Sequence, residues 1–189
     1  MKNILLALLV AFTFIGCNSK SDEDKNIVPK LVVGKSLAGL DLKDQFEKEH
    51  TLNADTYKVI FAFDKTPAHT CNDFFNTQKP TYLQEHHVQF VADVSAAPSL
   101  IRSLFIMPGI KKFKHIVLVL DDKKIAAPYR KGVDTTKIVV VTLLNKKITD
   151  IKTITTKEEL KKAVEDDSAM SYIAPVINKV MNSVDNATK

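Results

Sequence analysis

The sequence predicts an α/β domain, and three observations carry that reading. Three short apolar runs, "KVIFAF" (58–63), "VQFVADV" (88–94) and "HIVLVL" (115–120), are separated by helix-patterned segments. Two β-rich runs, "KIVVVTLL" (137–144) and "ITDIKTI" (148–154), flank the turn "NKK" and form an antiparallel hairpin. Thr156 and Glu159 stand at capping-box spacing and open a last helix, "KEELKKAVE".

The elements follow in order from the N-terminus. "MKNILLALLVAFTFIGC" opens with one lysine and a predominantly apolar stretch from Ile4 to Ile15, too short to span a bilayer, so residues 1–16 read as a secretory signal peptide. Phe14-Ile15-Gly16-Cys17 resembles the lipobox of bacterial lipoproteins, which implies cleavage before Cys17 and acylation of that residue. Several acyl chains on one residue hold a protein on a bilayer essentially permanently. Residues 17–31, the acylated cysteine and the polar "NSKSDEDKNIVPK", read as anchor and solvated tether. Asn18 stands where retained inner-membrane lipoproteins often show aspartate. The expected address is therefore the cell envelope, lipid-anchored on the periplasmic side, at the outer rather than the inner membrane.

Residues 32–167 form the domain. "DLKDQFEKEHTL" (41–52) reads as a hairpin turning near Glu47-Lys48, and "KVIFAF" as a strand buried on both faces. "TCNDFFNTQ" and "TYLQEHH" are helical, interrupted by Pro80. Pro98 opens a helix with Leu100, Ile101, Leu104 and Phe105 at helical spacing, stopped by "MPG" (107–109). A variable stretch with "IAAPY" leads to the hairpin. Residues 168–189 are a C-terminal extension in which Pro175 starts a short helix with Val176, Val180 and Val184 on one stripe, for docking on the domain or on a partner protein.

Composition narrows the function. The chain has 27 Lys+Arg and 22 Asp+Glu; removing Lys2 with the signal leaves 26 − 22, or +4. The basic clusters "KKFK" (111–114), "DDKK" (121–124) and "RK" (130–131) read as solvated loop faces, with attraction to anionic headgroups the alternative. No nucleic-acid module accompanies them. Five glycines form neither a dinucleotide nor a nucleoside-triphosphate fingerprint, and no nucleophile elbow occurs. No cofactor is expected.

With Cys17 acylated, Cys71 is the one remaining cysteine, so no disulfide can form within the chain. The "DQF.K.HTL" hairpin, an apolar strand running into a cysteine-bearing helix, a further βα unit, an antiparallel hairpin and a capped last helix together resemble the thioredoxin fold, most closely the exported thioredoxin-like and peroxiredoxin-like proteins. The resemblance implies a three-layer sandwich: a mixed central sheet flanked by helices, with an N-terminal β-hairpin extension. It also implies a C-x-x-C pair whose first member lies five residues past the strand's last aromatic. Counting from Phe63 puts "AHTC" there, with Ala68 in place of the nucleophile and Cys71 at the resolving position. The family's cis-proline, just before the next core strand, would fall near Lys114 or His115. The peroxiredoxin motif P-x-x-x-T-x-x-C would need proline at 64 and threonine at 68, where Asp64 and Ala68 stand.

Cys71 and His69 are the candidate catalytic residues. A thiol at a helix N-terminus beside a protonated His69 would be activated, whereas one at a resolving position would be buried and packed as a small hydrophobe. On this fold His69, Cys71 and His115 would converge as a candidate metal set. His86 and His87 would point to opposite faces of a strand, and His50 would be solvated. Asp64 would be solvated as well, and Asp73 would stabilise the first helical turn. The expected function is that of a binding or accessory protein of the envelope without dithiol chemistry. The alternative is a monothiol oxidoreductase or peroxidase using Cys71 with an external resolving thiol.

Overall fold

The computed structural model describes residues 26–166. The stretch read as a signal peptide (1–16), Cys17 with the expected tether up to Lys25, and residues 167–189 with the expected short helix lie outside the described residues.

Glu47, at φ 68°, takes the left-handed turn that folds β1 (Leu42–Asp44) antiparallel onto β2 (Glu49–His50). β3 (Lys58–Ala62) is buried at every position, as its unbroken apolar run requires. After two intervening residues α1 (Lys65–Phe75) begins, and α2 (Tyr82–Glu85) follows after Pro80. β4 (Val88–Asp93) pairs parallel with β3. The chain then runs through α3 (Ser99–Ile101), a π-helical turn (Arg102–Ile106) and α4 (Met107–Ile110), all in right-handed helical conformation. β5 (Leu118–Leu120) pairs parallel with β4, and α5 (Lys123–Arg130) leads to the hairpin of β6 (Ile138–Leu144) and β7 (Lys147–Ile154). Asn145 and Lys146 make its tight turn with φ of 49° and 63°, the left-handed pair of a type I′ turn. α6 (Lys157–Glu165) closes the domain through the predicted capping box: Thr156 Oγ1 accepts from Glu159 N and Glu159 Oε2 from Thr156 N, both at 3.1 Å.

The strand order is β2-β1-β5-β4-β3-β6-β7, a mixed seven-stranded sheet. One face packs on α1, α4 and α6 through Ile60, Phe75, Phe90, Ile110 and Leu160. The other packs on the N-terminal segment and α5 through Leu40, Phe61, Leu118, Ala126 and Tyr129. This is the thioredoxin-like α/β sandwich the sequence predicts, hairpin extension included. β3 is pinned at its start by Lys58, whose Nζ donates to the carbonyls of Val164 (3.4 Å) and Asp166 at the end of α6. The two edges are β2, two residues long, and β7, which carries Lys147, Asp150 and Lys152.

Three expectations about elements are corrected. "MPG" does not stop a helix: Pro108 sits at the start of α4, directly after the π-helical turn, and the rod continues to Ile110. "IAAPY" is not irregular but part of α5, held by Asp122, whose Oδ1 accepts from the N–H groups of Lys124 (2.7 Å) and Ile125 (3.1 Å). His86 and His87 lie in a turn after α2, with His87 at φ 54°, and not on a strand.

Candidate functional site

The candidate residues Cys71 and His69 lie just past the junction of β3 and α1. Here the junction is short: after Phe63, the N-cap is Asp64 and helix begins at Lys65, with Pro67 buried inside the first turn. Asp64, Lys65 and Thr66 form the exposed tip. Ala68 is thus the fourth helical residue and Cys71 the seventh. Cys71 therefore does not feel the positive end of the helix, an effect confined to the first turn.

Pro67, Cys71, Phe74 and Phe75 are the buried positions of α1, at the i, i+4, i+7, i+8 spacing of one helical face. Cys71 is completely buried in the apolar core, and burial pushes its thiol far above the ordinary range. His69 is exposed. Two residues apart on a helix means about 200° of rotation, so His69 is turned away from the thiol it was expected to activate. Asp73 is the ninth residue of α1, not in its first turn, and pairs with Lys157 Nζ at 3.2 Å.

His115 lies beneath the far end of α1. Its Nε2 is 3.0 Å from Asn72 Oδ1, and its ring stacks on Phe113 with centroids 5.3 Å apart and packs against Phe75 at 5.4 Å. Burial holds its pKa down to about 4, so the ring is neutral, with Nε2–H donating to Asn72 and Nδ1 without a hydrogen-bond partner among the described residues. Asn72 takes the polar edge of His115 while its neighbour Cys71 faces the core. The structure does not bring His69, Cys71 and His115 together, and among the described residues no three His, Cys, Asp or Glu side chains are grouped to hold a metal.

The residue expected to be cis-proline is also placed differently. β5 neighbours β4, not β3. The antiparallel neighbour of β3 is β6, with Ile138 opposite Ala62 at the α1 end of the sheet. The segment facing the tip of α1 is therefore 135–137, where Thr135 Oγ1 lies 3.4 Å from Asp64 Oδ2. It contains Thr135, Thr136 and Lys137 and no proline.

Three buried polar arrangements are not anticipated from the sequence. His50 is only partly solvated and sits 2.7 Å from Oδ2 of the buried Asp44, whose Oδ1 also accepts from Phe46 N (2.8 Å) and Lys48 N (3.1 Å). Burial works to raise the Asp44 pKa, but the His50 contact and the two amide donors outweigh it and leave it lowered. Gln45, fully buried, bridges the hairpin to the entry of β5 by donating to His115 O (2.8 Å) and accepting from Val117 N (2.9 Å). The Asx-turn spacing of Asp44 was a usable signal; nothing local marks Gln45. Arg130, read as part of a solvated loop, pairs at 3.1 Å with Asp93, whose side chain is fully buried.

No protein-family model matches the chain, and no curated protein matches it. Among solved structures, the chain is similar to the peroxidoxin BcpB from Mycobacterium tuberculosis, with 16% identity over 70% of this chain and 93% of that one, TM-score 0.46. It is similar to a peroxiredoxin-like protein from Aquifex aeolicus, with 12% identity over 74% and 90%, TM-score 0.47. It is also similar to the thioredoxin domain of the thiol-disulfide oxidoreductase BVU-2223 from Bacteroides vulgatus, with 12% identity over 71% and 99%, TM-score 0.45.

Proposed function

We propose that this is a lipid-anchored, periplasm-facing thioredoxin-like protein that acts by binding, as an accessory of the cell envelope, and carries out no dithiol chemistry. The supporting observation is the environment of Cys71. The nucleophile in thiol exchange is the thiolate, and it must be reachable. Cys71 is buried in the second turn of α1 among aromatic and aliphatic side chains, and its burial disfavours the thiolate. The exposed tip of the helix offers Asp64, Lys65 and Thr66 instead of sulfur. The anchor rests on the lipobox-like Phe14-Ile15-Gly16-Cys17.

Iodoacetamide alkylation of Cys71 in the purified mature chain, native and unfolded across pH, tests the chemistry. Protection until unfolding is expected. Fast native alkylation with an apparent pKa below the unperturbed ~8.5 would overturn the reading in favour of a monothiol oxidoreductase or peroxidase. The anchor is tested by labelled palmitate, whose incorporation should vanish in Cys17→Ala.

A further inference from the structure

The rod formed by α3, the π-helical turn and α4 is apolar on two sides. Ile106, Met107 and Ile110 pack on the core. Leu100, Ile101, Leu104 and Phe105, at i, i+1, i+4 and i+5, stand in solvent at 65%, 43%, 58% and 67% exposure. A helix with a second apolar face beyond the one on the core ordinarily has that face covered as well, and a cluster of exposed large apolar side chains marks a contact surface.

We propose that this stripe docks on the surface of an anionic phospholipid bilayer, the one to which Cys17 anchors the chain; the proposal rests on the anchored reading above. Charge selects the occupant. From Val94 to Leu120 there is no acidic residue, while Arg102, Lys111, Lys112 and Lys114 supply four cations, and the three lysines are exposed. Leucine and phenylalanine on one face with lysines and arginine alongside is the pattern of helices that lie in a membrane interface. Position agrees. Ile27, near the first described residue, lines the same surface depression as Ser95 and Ala96, in the loop that leads into α3. Ten residues from Cys17 to Ile27 span at most about 35 Å, so an anchor at Cys17 keeps the end of the domain where the stripe starts within reach of the bilayer. Tethering at that reach raises the effective concentration of the stripe at the headgroups.

The chain contains no tryptophan, so Phe105→Trp gives a single reporter on the stripe and Leu144→Trp a matched one at the opposite end of the sheet. The full acylated chain is reconstituted into phosphatidylglycerol–phosphatidylcholine vesicles with brominated acyl chains, and into phosphatidylcholine alone. Emission from the Phe105→Trp chain should shift to the blue and be quenched by bromine in the anionic vesicles, less so in phosphatidylcholine. Adding Lys111→Glu and Lys112→Glu should relieve the quenching, and the Leu144→Trp chain should show none. Red-shifted, iodide-accessible emission from position 105 would overturn the proposal. So would a blue shift without bromine quenching, which would assign the stripe to residues 167–189 or a second copy, and so would equal quenching at both positions. Acylation is read separately from the mass of the N-terminal peptide. Fluorescence is read on acylated and unacylated chain alike, so an unmodified Cys17 overturns the anchor without deciding the docking.

Discussion

Two helical segments pack on the same face of the sheet and use their apolar residues in opposite ways. α1 turns Cys71, Phe74 and Phe75 into the core and leaves His69 and Asp73 in water. The rod of α3 and α4 buries Ile106 and Ile110 to differing extents and leaves Leu100, Leu104 and Phe105 in water. Both show helical spacing. Periodicity tells which residues share a face, but the register against the sheet decides which face is inside, and a helix with two apolar faces keeps one of them for something else.

The sharpest way to break that contrast is Phe75→Ala. Phe75 is 1% exposed and packs against Phe74, Phe90 and His115, so urea unfolding should show a loss of about 3–5 kcal/mol. A comparable effect should come from pH. His115 is neutral in the fold with its pKa lowered to about 4, against 6.5 in the unfolded chain. The unfolded state therefore takes up more protons between these values. Stability should be intact above pH 6.5, fall as pH drops toward 4, and level off below it, with a total of about 3 kcal/mol. His115→Gln, which keeps a neutral donor for Asn72, should flatten the unfolding midpoint over that window. Cys71→Ser puts a hydroxyl among apolar groups and should cost about 1–3 kcal/mol while leaving envelope-partner pull-downs from intact cells unchanged; loss of capture with normal stability would reinstate a role for the sulfur. Smallest of all, Leu104→Ser and Phe105→Ser should each move stability by no more than about 0.5 kcal/mol, since both side chains are already solvated.

Much of this fold is legible in the sequence because its signals are local. The apolar runs of β3 and β4, the turn at Glu47, the hairpin of β6 and β7 and the capping box at Thr156 each declare themselves within a few residues. Prolines were the weak point. Pro108 and Pro128 look like breaks, but Pro108 falls in the first turn of α4, and α5 tolerates Pro128 six residues into a helix already capped by Asp122. The site was harder for a different reason. Counting from Phe63 finds the position of Cys71 along the chain but not the point where the helix begins, and that one boundary decides whether a thiol sits at an exposed tip or a turn deeper in the core. Strand order is likewise not local: only the sheet shows that β6, not β5, lies beside β3, and so that residues 135–137 and not 114–115 face α1.

The edges of the sheet have a bearing on the company the protein keeps. An unpaired strand edge is a template for another chain. β2 offers two residues, too few to propagate a ladder, and β7 sets Lys147, Asp150 and Lys152 along its length, with the last two paired at 3.2 Å. Short and charged edges of this kind resist sheet-to-sheet aggregation, which keeps neighbouring copies of the domain separate when they are crowded together.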